Sequence, residues 1–357
     1  MERQDNMFVC GVDIGDRYCH ICVLDGAGDV IEETRVRTTP MATERYFASK
    51  ERMRVALEVG THSPWLSSLI AELGHEVLVA NARKLRMIYE NDQKDDRVDA
   101  EMLARVARMD PKLLAPIQHR GEDARAMLAV IRSRDILVQA RTKLVNHVRG
   151  SVKAFGGRMR SCSAGSFGKQ ASEIPEELTP ALMPVMETIR ELTQRVRDYD
   201  RRIDQAAKDE VPETEALRQV GGVGALTSLA YVLTLENPGR FKNGRAVGSY
   251  FGLCPRRDKS GDADPQLRIA KTGDPYMRRL LVGSAHYILG PFGPDSDLRR
   301  WGLKLAERGG KNAKKRAAVA VARKLSVLLF RLWQTGEVYE PLRSSDDDDR
   351  CQDSVSA

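Results

Sequence analysis

Short apolar runs broken by turn residues dominate the first hundred positions. Met7–Val12 is apolar and closes on Asp13-Ile14-Gly15, and Cys19–Leu24 forms a second run. Asp25-Gly26-Ala27-Gly28 reads as a hairpin turn into a third strand, Val30–Arg37. A helix around Thr43–Lys50, a strand Val55–Val59, a helix Trp65–Leu73 and a strand Glu76–Ala80 follow. Asp92–Met109 predicts another helix, with Val98, Met102, Leu103 and Val106 on its apolar side.

Three strands in hairpin order, then alternating helix and strand, is the plan of an RNase H-like α/β sheet. Past Pro116 the pattern changes to long helices. In the first, the pairs Val130/Ile131, Leu137/Val138 and Leu144/Val145 recur at seven-residue intervals. In the second, Leu182, Val185, Ile189, Leu192, Val196, Tyr199, Ile203 and Ala206 alternate steps of three and four, an a/d seam that argues for a coiled coil. A packed helical hairpin and a dimerising stalk both fit that seam. Gly156–Ser172, rich in Gly and Ser, reads as the loop between the two helices. A third, mostly α region from about Pro212 opens with Val220-Gly-Gly-Val-Gly224 and a helix Ala225–Leu235. A polar loop Pro255–Gly273, a helix Pro275–Ile288 and a basic helix Ala313–Trp333 complete it. The expected division is 1–115, an α/β domain; 116–211, a helical coiled-coil region; 212–335, a mostly α domain; and 336–357, a disordered acidic tail.

Composition narrows the class. The chain has 357 residues, 42% hydrophobic and 30% charged, a globular mixture long enough for two or three domains. Lys and Arg number 57 against 50 Asp and Glu, for a net charge of +7. The distribution is more telling: seven basic and no acidic residues lie between Lys311 and Arg331, whereas Asp346–Asp349 are all acidic. A basic segment beside an acidic terminus points to contact with a polyanion. The six cysteines show no disulfide framework, and Cys19-x-x-Cys22 lacks a second pair for a zinc site. No apolar run is long enough to span a membrane, and the N-terminus lacks a signal peptide's apolar core. A reduced, cytoplasmic protein is expected.

Candidate chemistry begins with four acids. Asp13 ends an apolar strand, and Glu58 ends the strand Val55-Ala-Leu-Glu-Val59 among apolar residues. An acid so placed is costly to bury unless it is paired or holds a cation. Asp96 and Asp99 are three apart on the expected helix, which projects them to one face at roughly 5–6 Å between Cβ atoms. The set offers hard oxygen ligands suited to Mg²⁺, or Mn²⁺, rather than zinc. An N-terminal helix turn enriched in acids also suits the helix dipole without any metal, which accounts for Asp95 and Asp96 but not for Glu58.

Gly11-Val-Asp-Ile-Gly15, Leu57-Glu-Val-Gly60 and Lys94-Asp-Asp-Arg-Val-Asp-Ala100 resemble the motifs of the DEDD transposases of bacterial insertion sequences. The resemblance implies a RuvC-like N-terminal domain in which Asp13, Glu58, Asp96 and Asp99 are the four carboxylates and bind Mg²⁺; that motif usually has Thr where this chain has Asp95. It continues through Val220–Gly224, Phe241, Gly252-Leu-Cys-Pro-Arg256, Lys259-Ser-Gly261, Lys271–Tyr276 and Arg278-Arg-Leu-Leu281, in family order. It implies that Ser260 is the nucleophile of a serine-bearing domain, and that an RNA encoded by the element guides the enzyme to donor and target DNA.

Read physically, Ser260 sits among cations and before a glycine, so its hydroxyl can approach a phosphate whose charge Arg256, Arg257 and Lys259 offset. Such a serine is more often a solvated turn residue; the resemblance tips the reading toward chemistry. Serine needs a base or metal to act, and no His lies near it in sequence. The expected activator is the Mg²⁺ of the N-terminal carboxylates, with another subunit as one source, which would tie a dimer or tetramer to the chemistry. Lys271, Arg278, Arg279, Lys314, Lys315 and Arg316 complete the expected nucleic-acid contacts. Two rivals stand beside this transposase reading. One is an RNase H-like nuclease or junction resolvase that uses water. The other is a nucleic-acid-binding protein without catalysis.

Overall fold

In the computed structural model, residues 7–82, 95–256, 258–261, 265 and 267–343 are described. The acidic run Asp346–Asp349, Cys351, Arg257, and Asp92–Lys94 of the expected helix lie outside them. The chain divides into two compact units, Met1–Arg120 and Gly121–Ala357.

The first unit is a five-stranded mixed sheet. Its strands are β1 (Val9–Ile14), β2 (Tyr18–Leu24), β3 (Val30–Arg37), β4 (Arg54–Glu58) and β5 (Glu76–Ala80), in the order β3-β2-β1-β4-β5. β1, β2 and β3 are antiparallel neighbours, while β4 and β5 run parallel to β1. The β2–β3 turn is closed by Asp25, whose carboxylate accepts from the amides of Gly28 (2.8 Å) and Asp29 (2.9 Å). Helices α1 (Pro40–Phe47) and α2 (Ser63–Glu72) cover one face, where Phe47, Leu66 and Ile70 pack on Cys10, Val12, Ile21, Val55 and Leu57. Helix α3 (Asp96–Met109) covers the other, its Ala100, Leu103, Ala104 and Ala107 on Val9, Cys22, Leu24 and Ala56. Strand alternation therefore sends Cys19 to the α1/α2 face and Cys22 to the α3 face, so the two thiols cannot share a ligand or a bridge.

Small residues bring α3 unusually near the sheet. A Cβ on Gly11 would stand 1.9 Å from the Ala100 carbonyl oxygen and 2.7 Å from the Ala104 nitrogen. Contact is thus backbone to backbone, and it sets the height of the helix's first turn over the end of β1.

The second unit begins with an antiparallel hairpin of α4 (Glu122–Ala154) and α5 (Thr179–Gln205). The seam of α5 lies one position off the expected one at two steps: Met186 and Thr193 are buried, while Val185 and Leu192 are only half-buried. Its far end packs Leu182, Met186 and Ile189 on Val145, Val148 and Val152. Its near end joins Leu128, Ile131, Ile203 and Ala207 to the core of the unit. Between these clusters no residue of α4 from 132 to 144 is fully buried, and Arg134 pairs with Asp200 at 2.5 Å. Here α4 of the same chain fills the seam.

The core is built on α7 (Ala225–Leu235), which follows the short α6 (Thr214–Arg218) and is buried on nearly every side. Tyr231 donates its hydroxyl to the Ser326 carbonyl at 2.5 Å, fixing α7 to α11 (Ala313–Thr335). Helices α8 (Gly244–Tyr250), α9 (Pro275–Leu289) and α10 (Asp297–Glu307) complete the unit. No helix among the described residues is long and apolar enough to cross a membrane.

Gly11→Ala tests the close approach of α3. Overpacking against backbone should cost about 2 kcal/mol in urea unfolding, and it should weaken divalent-cation binding as well, because the first turn of α3 moves outward.

Candidate functional site

Odd positions of β1 and even positions of β2 and β4 face α3. Asp13, His20 and Glu58 therefore project to one side at one end of the sheet, beyond the apolar cover. Asp13 and His20 are direct partners in the β1–β2 ladder, and the Val12–Leu57 pairing puts Glu58 beside Asp13 on the neighbouring strand. The turn between β1 and β2 is pinned by Gly15, whose amide donates to Tyr18 O (3.1 Å) and whose carbonyl accepts from Thr38 Oγ1 (2.8 Å). Helix α3 then delivers Asp96 and Asp99 in its first turn. Asp95 is used otherwise: it is the helix N-cap, accepting from the Arg97 amide at 3.0 Å.

Ligand atoms of Asp13, His20 and Asp96 all lie within 4.8 Å of one another. Glu58 and Asp99 are close enough to act on Asp13 electrostatically but stand outside that tighter group. Burial first, then the charges of Asp96 and Asp99, push the Asp13 carboxyl up to about 6, with Glu58 adding to the rise and His20 opposing it. His20 Nδ1 is 3.5 Å from Asp96 Oδ2 but not aligned for a hydrogen bond, and it is buried without a hydrogen-bond partner among the described residues. Crowded carboxylates and an unpaired buried nitrogen are a donor set that fits a divalent cation. His20 was not among the sequence candidates. The register of a tight hairpin that pairs position 13 with position 20 is the signal that points to it.

Ser260 lies in the second unit, exposed near the tip of the loop joining α8 to α9, with Arg256 and Lys259 exposed beside it. The base of this loop is rigid. Ala270 N donates to Cys254 O (2.8 Å), Arg256 N to Arg268 O (2.9 Å), and Lys271 N to Gly252 O (3.1 Å). Gly252 and Gly273 have positive φ, and Cβ atoms there would meet Thr272 O at 2.2 Å and Tyr250 O at 1.9 Å. Arg278 donates to the carbonyls of Phe251 (2.9 Å) and Thr272 (2.8 Å), which clamps both limbs of the loop. Arg279 pairs with Asp135 at 2.5 Å.

Other expected cations converge on a groove of about 1670 Å³ along α10 and α11, which Lys271, Lys315 and Arg316 line with Arg245, Arg268 and Arg323. Lys314 is exposed on the first turn of α11 but outside that lining. Arg323 belongs to the basic run on α11, whereas Arg245 and Arg268 escaped the sequence reading because they come from separate elements and form no run.

Two family models match the chain. One, a DEDD-type transposase model, covers residues 10–155, and the other, described as transposase IS116/IS110/IS902 family, covers residues 214–295. The chain is similar to the transposase for insertion sequence element IS1111A of Coxiella burnetii, at 26% identity over 93% of this chain and 91% of the relative. It is likewise similar to a probable family 20 transposase of Pseudomonas aeruginosa, at 26% identity over 94% and 99%. The transposase for insertion sequence element IS1328 of Yersinia enterocolitica is 27% identical over 80% and 84%. These matches define a transposase, an enzyme that cuts and rejoins DNA. The chain belongs to the DEDD transposases of the IS110 family. Membership implies use of a divalent metal.

The raised Asp13 carboxyl yields a pH test with a definite sign. Its folded value, about 6, exceeds the unfolded value of 3.8. The folded state therefore holds the proton more tightly, and metal-free stability falls as pH rises through that interval. Asp13→Asn should stabilise the metal-free protein on the order of 1 kcal/mol at about pH 7.5, after discounting for partial exposure, and the gain should fade by about pH 4. Thermal unfolding across that range checks it.

Proposed function

We propose that this transposase cleaves and rejoins DNA through a phosphoserine at Ser260, with Asp13, Glu58, Asp96 and Asp99 holding Mg²⁺ in an RNase H-like domain. The observation that carries the reading is the convergence of Asp13, Asp96 and an unpaired buried nitrogen at the end of the sheet, with Glu58 and Asp99 near enough to raise the Asp13 carboxyl. A bound divalent cation would neutralise phosphate charge and stabilise a leaving oxygen. Asp95 is not part of that set, since capping the helix occupies its carboxylate.

Ser260 Oγ would attack the phosphorus, forming a P–Oγ bond as the bond to a deoxyribose oxygen breaks and that oxygen leaves with a proton. A hydroxyl of the strand to be joined would reverse the step. The exposed serine on a loop with a fixed base suits attack on a large substrate, and Arg256 and Lys259 would offset phosphate charge. Arg278 would serve by holding the loop, Arg279 by its link to Asp135, and the basic groove by holding nucleic-acid backbone. Selection of donor and target DNA by a guide RNA belongs to the same proposal and rests on family membership. So does assembly into a dimer or tetramer; since the α5 seam is filled within the chain, a partner would have to use another surface, such as that around exposed Ile136 on α4.

Wild type with Mg²⁺ should give a protein–DNA adduct on the peptide containing Ser260, and Ser260→Ala should remove adduct and joining while leaving DNA affinity within about twofold. Glu58→Gln should remove the same adduct, because the reaction draws on both residues. Robust cleavage by Ser260→Ala would instead favour a nuclease that uses water. For the groove, replacing Lys315, Arg316 and Arg323 by Gln should lower the slope of log affinity against log salt by about one for each phosphate no longer neutralised. An unchanged slope would exclude the groove as a binding surface.

A further inference from the structure

We propose that His20 is a nitrogen ligand of the cation held by the Asp13–Asp96 cluster, and that it tilts this site toward Mn²⁺ over Mg²⁺. The inference rests on reading the cluster as a cation site and adds to it a ligand outside the four carboxylates. β2 alternation puts His20 on the same side as Cys22 and Leu24. Those two sink into apolar cover, whereas His20 stands one step further along, facing Asp13 across the ladder and Asp96 on the helix above.

The state of its Nδ1 singles it out. The atom is buried and, among the described residues, has no hydrogen-bond partner. An atom so left has lost its water without gaining a bond in exchange. His75 in the same unit shows what a structural histidine looks like here: its Nδ1 accepts from the Met53 amide at 3.3 Å and its Nε2 meets the Phe47 carbonyl at 3.1 Å. A His20 that merely oriented Asp96 would need an aligned bond to it, and at 3.5 Å Asp96 Oδ2 is not so placed.

The spacing fits a shared ion. In an octahedral shell with bonds of about 2.1 Å, adjacent donors lie about 3 Å apart and opposite donors about 4.2 Å. The three donor atoms, all within 4.8 Å of one another, need only a small contraction to reach this. A neutral imidazole would present the Nδ1 lone pair and keep its proton on Nε2. One nitrogen among hard oxygens favours transition ions over Mg²⁺, since imidazole is the softer donor.

Pulsed electron paramagnetic resonance on the full-length protein loaded with Mn²⁺ tests this directly. Wild type should show coupling to a directly bonded ¹⁴N, replaced by ¹⁵N coupling when the protein is made with ¹⁵N-histidine, a measurement that needs no variant. In His20→Gln the coupling should vanish, Mn²⁺ affinity should fall about tenfold, and Mg²⁺ affinity, read by competition, should fall less than about threefold. Mn²⁺ bound in an Asp13-dependent way without nitrogen coupling, or coupling that persists in His20→Gln, would overturn the proposal and leave the carboxylate site standing. If wild type binds no Mn²⁺ that Asp13→Asn removes, the cation site fails, and the ligand role of His20 with it.

Discussion

The first turn of α3 can meet the end of β1 only because position 11 carries no side chain. The crowding of donor groups at the sheet end follows from that approach: Asp96 comes within reach of Asp13 and His20, and Asp99 adds its charge to theirs. The small residues Ala100, Ala104 and Ala107 continue the contact down the helix and bury it. Rigidity matters here because like charges repel. With the helix held at this height, burial and the neighbouring aspartates push the Asp13 carboxyl up instead of being relieved in water.

The loop bearing Ser260 solves a related problem by other means. Its base is held by backbone pairing, two glycines in left-handed conformation and the clamp of Arg278 from α9. An exposed side chain is thereby carried on a fixed stem. Arg278, expected from sequence to touch nucleic acid, spends its guanidinium on the loop's own carbonyls, a role that needs the same cation but a different partner.

Much of this was legible in the sequence. Apolar runs and Gly/Asp turns marked all five strands, since a two-residue period and a closing turn leave few alternatives. The placement of Asp13 and Glu58 on one face followed from the same alternation. Helix α3 ends at Met109 as expected but begins at Asp96, because Asp95, expected within it, is its extended cap; Asp92–Lys94 lie outside the described residues. What stayed hidden depends on pairing across the chain. His20 gains meaning from lying opposite Asp13, and the groove cations gather from separate elements. The α5 seam was misplaced by one position at Met186 and Thr193, because a stripe wide enough to admit Val185 and Leu192 at its edge does not reveal its own centre.

The hairpin of α4 and α5 carries apolar clusters at both ends and a polar waist, where Arg134 meets Asp200 and Arg141 reaches Thr193. Hydrophobic cohesion is therefore thinner at the waist, where Val196 is the buried apolar residue of α5. The far cluster is a small cooperative block of its own, linked to the unit's core by hydrogen bonds and charges that water can replace at little cost. Opening that block would melt the hairpin's tip while its root stays folded, so amide exchange along α4 should show two tiers of protection meeting near the waist. Order at the tip and order in the fold that bears the serine loop thus rest on two separate cores.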